Sequence, residues 1–99
     1  MNEIEMYKEK NFDDIKHIDE YGNEYWVARE LMALLEYSKW ENFFKVIKSA
    51  MNACENSNNT VLDHFPEVRK IVKAGATTKY KLDYHLSRYA CYLIAQNGD

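Results

Sequence analysis

The sequence predicts a small single domain of the α+β class, ordered β-hairpin, helix, helix, β-hairpin, helix. Three observations predict it. The 99 residues include one proline and three glycines, so most of the chain is free to enter regular elements. Stretches with apolar residues at steps of three and four alternate with β-prone stretches interrupted by turn chemistry. A hydrophobic share of 46% against 29% charged suits a packed core rather than a disordered chain.

Residues 1–14 form an N-terminal arm, polar and charged, with Ile4, Met6, Tyr7 and Phe12 as anchors. It is either a short helix or a frayed, flexible segment. "IKHIDEYGNEYWVA" then gives the first hairpin, in which "DEYGN" is a loop of several residues and "EYWV" is strand-prone. "ARELMALLEY" is a helix of good formers, with Val27, Leu31, Leu34 and Leu35 on one stripe. Ser38-Lys39-Trp40-Glu41 has the form of a capping box and opens the next helix. Its stripe is Trp40, Phe43, Phe44, Ile47, Met51 and Cys54, read as core rather than as a base-stacking platform. "ENSNN" at 55–59 ends it.

The second hairpin pairs 69–73 with 79–84, around Gly75 and the two threonines after it. Asp83 caps the last helix, whose buried face is Leu86, Tyr89, Ala90, Leu93, Ile94 and Asn97. The opposite face of that helix is unusual. Of Arg88, Cys91, Tyr92, Ala95 and Gln96, only Arg88 is charged. That face is covered by further chain, by a partner such as a second copy, or by the first hairpin or N-terminal arm. Arg88, Tyr92 and Gln96 are therefore candidate interface residues.

Several functional classes are disfavoured. No apolar run spans a membrane, and "MNEIEMYKEK" does not read as a secretory signal. Cys54 and Cys91 stand apart, as reduced buried thiols of a cytoplasmic protein. His17, His64 and His85 lack metal-ligand spacing, and no glycine-rich phosphate loop, HExxH or GxSxG is present. No catalytic residue, metal, cofactor or small-molecule substrate is expected.

Charge is the stronger clue. The net charge is −3, yet residues 1–36 sum to −6 and residues 37–99 to +3. Arg69, Lys70, Lys73, Lys79 and Lys81 cluster on the second hairpin. With Lys79 and Lys81 opposite Arg69 and Lys73 on one face, they would form a patch suited to a phosphate backbone or an acidic protein.

The stretches "YWVARELMALLEYSKWENFFKVIKSAMNACENS", "DHFPEV" and "DYHLSRYACYLIAQNGD" resemble the N-terminal part of the DNA-damage-inducible protein D family. That family is related to the Bro-N domains of phage antirepressors and baculovirus repeated proteins. The likeness runs from about Ile15 onward. Its most specific parts are "YSKWENF" (Tyr37, Ser38, Trp40, Glu41, Asn42, Phe43) and "LSRYACYLIAQN" (Leu86 through Asn97). The resemblance implies a Bro-N-like domain over 15–99, in a family whose members continue beyond residue 99. It also implies a bacterial, SOS-regulated, non-enzymatic protein that binds DNA, single- or double-stranded, and acts on RecA recombinase filaments. The alternative it leaves is a protein–protein module of the antirepressor type, homodimeric or otherwise, without direct DNA binding.

Overall fold

The computed structural model describes residues 9–98 of the chain. Helix α1 (Glu9–Asp14) leads into a two-residue strand β1 (His17–Ile18) and its partner β2 (Glu24–Val27). Helices α2 (Ala28–Leu34), α3 (Trp40–Asn56) and the short α4 (Val61–His64) follow. Strands β3 (Glu67–Ala74) and β4 (Thr77–Leu86) form the second hairpin, and α5 (Arg88–Asn97) comes last. The strands make one antiparallel sheet in the order β1-β2-β4-β3, so both hairpins share it and β3 is an edge strand among the described residues. The α+β order read from the sequence holds, with α1 and α4 added.

Local chemistry explains the boundaries. In the first loop Asp19 Oδ1 accepts from the amides of Tyr21 and Asn23, both at 2.9 Å, while Gly22 takes φ +84°. The Asn23 amide is the largest cause holding the Asp19 carboxyl below its ordinary value. Helices α2 and α3 end alike. Glu36 and Asn58 adopt φ +64° and +63°, and the following amides, of Tyr37 and Asn59, reach back to Met32 O and Cys54 O. This is the Schellman arrangement, which satisfies the last carbonyls of each helix.

Two expected caps are corrected. The residue at the N-cap of α3 is Lys39, and it makes no side-chain cap bond. The capping-box pattern at Ser38 is therefore one residue out of phase with the helix. Asp83 lies inside β4, and the cap of α5 is Ser87, whose Oγ accepts from Ala90 N at 3.0 Å. The Ser87 hydroxyl also shares a 2.7 Å bond with His64 Nδ1, tying α4 to the start of α5.

The core is one cluster fed by the sheet and the helices. Helix α3 buries Phe43, Ile47, Ala50 and Cys54 at steps of four, three and four, and packs on α5, which buries Ala90, Cys91, Leu93 and Ile94. Part of the expected arm is docked. The Phe12 ring of α1 stacks on Trp26 at 4.3 Å, and the indole N–H donates to Phe12 O at 2.9 Å. Residues 1–8, which carry the other three expected anchors, lie outside the described residues.

The second hairpin is longer than expected. Cross-strand pairs run from Glu67–Tyr84 to Ala74–Thr77, leaving only Gly75-Ala76 as the loop. Gly75 has φ +64° at the first loop position, where a tight hairpin turn favours glycine. Thr77 and Thr78, expected in the turn, begin β4 instead. Every residue from Arg69 to Lys81 is exposed, so this part of the hairpin stands in solvent as a two-stranded ribbon.

Candidate nucleic-acid interface

Pairing register decides what the ribbon presents. Residues directly opposite in an antiparallel pair share a face, and faces alternate along each strand. Lys70 pairs with Lys81 and Val72 with Lys79, so Lys70, Lys79 and Lys81 lie together on one face. Arg69 pairs with Leu82, Ile71 with Tyr80 and Lys73 with Thr78, so Arg69 and Lys73 lie on the other. The expected single face with Lys79 and Lys81 opposite Arg69 and Lys73 is thus corrected. The cations cover both faces of the ribbon.

They also differ in freedom. Lys70 Nζ lies 3.2 Å from Asp83 Oδ2, and Arg69 reaches Glu67 at 3.5 Å. Lys73, Lys79 and Lys81 make no ion pair with any described residue. An exposed cation without a local carboxylate has no partner to give up on meeting a phosphate.

Asp83 anchors the ribbon's base. It is 0% exposed, and its Oδ1 accepts from Arg29 N at 3.1 Å and Tyr84 N at 2.9 Å. Arg29 is the second residue of α2, whose own N-cap, Val27, offers no side-chain acceptor. Asp83 therefore caps a helix 54 positions earlier in the chain. Lys70 balances its Oδ2 as an ion pair outside hydrogen-bonding geometry. Arg29 donates to Leu82 O at 3.0 Å and lies 4.0 Å over the Trp40 ring. Strand β4, α2 and α3 are thus joined where the ribbon leaves the body. The sequence signal for Asp83 was an acid within an otherwise alternating strand, which reads equally as a cap.

The face of α5 that carries Arg88 is engaged from within the chain. Glu24 of β2 accepts from Arg88 Nε at 2.8 Å and from Nη2 at 3.1 Å. That bond is the largest cause lowering the Glu24 carboxyl. The guanidinium also lies over Trp26 and Phe12, at 5.1 and 5.7 Å, and Cys91 is fully buried. Gln96 donates to Tyr92 Oη at 2.7 Å, and both side chains are exposed.

Elsewhere the described chain holds little reactive chemistry. Among the described residues no three His, Cys, Asp or Glu side chains group as a metal site. Cys54 and Cys91 are free and buried, and burial raises both thiols above their ordinary value. His17, Tyr25 and His85 stack in sequence at 5.2 and 4.3 Å across β1, β2 and β4. No helix among the described residues is long and apolar enough to cross a membrane.

A family model described as the BRO family, N-terminal domain (Bro-N) matches residues 14–99. The chain is 51% identical over 89 residues to DNA damage-inducible protein D of Escherichia coli (strain K12). That alignment covers 89% of this chain and 32% of the relative, so the chain spans about a third of the length of the curated relative it matches. No solved structure matches it.

Proposed function

The chain belongs to the BRO family through its N-terminal domain, and from that premise we propose that it is a non-enzymatic DNA-binding module of the DNA-damage response. The β3–β4 ribbon is the DNA contact. One observation carries this reading: the ribbon projects with Lys73, Lys79 and Lys81 in no ion pair with any described residue and with cations on both faces. A two-stranded ribbon can enter a groove of DNA, and long basic side chains along it can reach the phosphates that border the groove. The relative's name, DNA damage-inducible protein D, supports the damage-response setting.

The test is the salt dependence of binding. Replacing Lys79 and Lys81 with Glu should preserve the circular dichroism spectrum, because both side chains are exposed. Affinity should fall on every duplex alike, and the slope of log affinity against log salt should shrink by about one per lost contact. Unchanged binding across the salt range would move the ribbon out of the DNA contact and favour the antirepressor-type protein module. The resemblance to the protein D family extends the proposal to DNA coated with RecA recombinase. There, co-pelleting of the parent but not the double variant with filaments is expected.

A further inference from the structure

The ribbon carries a feature that phosphate binding leaves unused. Ile71 and Tyr80 are 63% and 68% exposed, lie directly opposite each other, and stand outside the core cluster. Side chains so paired sit side by side on one face and make an apolar ridge across both strands. Arg69 and Lys73, two residues to either side of Ile71, place a cation on each flank of that ridge along the same face. Beyond it the ribbon narrows to Ala74, Gly75 and Ala76, so no bulky side chain hinders lengthwise entry into a groove.

Resting on the reading that this ribbon grips DNA, we propose that Ile71 and Tyr80 form a wedge that opens a base step of duplex DNA and bends it. An apolar ridge gains most by leaving water for the base stack, and its flanking cations lie where the phosphates beside an opened step can meet them. Isoleucine decides between duplex and single strand. It has no π face to stack on one unpaired base, yet it is a residue type that proteins use to pry base steps apart. Readily unstacked steps such as TA or CA/TG are the preferred sites, which supplies sequence preference without hydrogen bonds to base edges.

The test uses the 99-residue chain and end-labelled duplexes of about 30 bp with a central TA step and 2-aminopurine beside it. The parent should shorten the end-to-end distance, by a bend within about 20–90°, and brighten the 2-aminopurine. A variant with Ile71→Ala and Tyr80→Ala should still bind with the same salt slope but neither bend nor brighten. Tyr80→Phe should keep both signals. The wedge is overturned if the parent binds duplex without bending it, or if the double variant bends as the parent does. It is also overturned if Tyr80→Ala alone removes single-strand binding while Ile71→Ala is silent, which is stacking on single bases. A parent dimer that the double variant dissolves would instead assign this face to a contact between copies. A parent that binds no DNA at any salt overturns the DNA reading itself, and the wedge with it.

Discussion

Glu36 and Asn58 occupy equivalent backbone positions, one residue past the C-caps of α2 and α3, both in the left-handed region. Asparagine tolerates that region, while a longer L-residue is strained there by roughly 1–2 kcal/mol. Glycine is free of the clash, though it brings a more flexible unfolded chain. Glu36→Gly should therefore stabilise the domain by about 1 kcal/mol, read as a higher urea midpoint at unchanged slope. A lowered midpoint would mean that the exposed Glu36 side chain holds something the backbone argument misses. The stop after α3 was legible because "ENSNN" concentrates turn-forming residues. The stop after α2 was not, because nothing in the composition of Leu35-Glu36-Tyr37 signals a left-handed residue. Ser38 then misled, since the turn at Glu36 delays the helix start to Trp40.

Among the elements, α2, α3 and α5 were legible because apolar residues recur along them at the helical period, whereas the four-residue α4, which buries no residue, left no such period. The ribbon was read short for a related reason. Both of its faces are exposed, so no burial pattern marks its length, and threonines suit turn and strand alike. Its face composition was beyond reach. A shift of one residue in register would put Arg69 opposite Lys81, and the two-residue loop at Gly75-Ala76 excludes it. The attachment of the ribbon rests on Asp83. Asp83→Ala would leave the Arg29 amide without its acceptor and the Lys70 and Arg29 cations without their counter-charge. We expect a loss of about 3 kcal/mol from this change. Asp83→Asn keeps an oxygen for the amide and should lose about 1 kcal/mol, the charge alone. Equal losses in thermal unfolding would contradict the capping role.

At the scale of the molecule, the acidic N-terminal third and the basic ribbon were legible as a charge asymmetry. Their outcome, a compact body with one projecting basic arm, was not, because it depends on β4 pairing with both β2 and β3. The same arrangement makes stability depend on pH. Burial is the largest cause holding the His85 imidazole below its ordinary value of 6.5; Lys70 and His17 add to it, and Asp83 opposes it. The folded state thus takes up this proton less readily than the unfolded chain. Stability contributed by neutral His85 is full above 6.5 and declines as pH falls from there towards the depressed folded value. The unfolding midpoint should drop between about pH 7 and 5, and His85→Gln should flatten that part of the profile. A midpoint indifferent to pH in the parent over this window would show that His85 protonates equally well in both states.

Strand β4 has a consequence for how the chain reaches this fold. It supplies the partner of β2, the partner of β3, the acceptor for the first turn of α2 and the lead into α5. Everything before it can form locally but cannot close. Loop-closure entropy must be met across the whole interval from Arg29 to Asp83 before those contacts return any energy. A chain emerging from the ribosome therefore waits, with Trp26 and the start of α2 unsealed, until nearly all of the domain has been made. Folding of this domain is an event of the end of its synthesis.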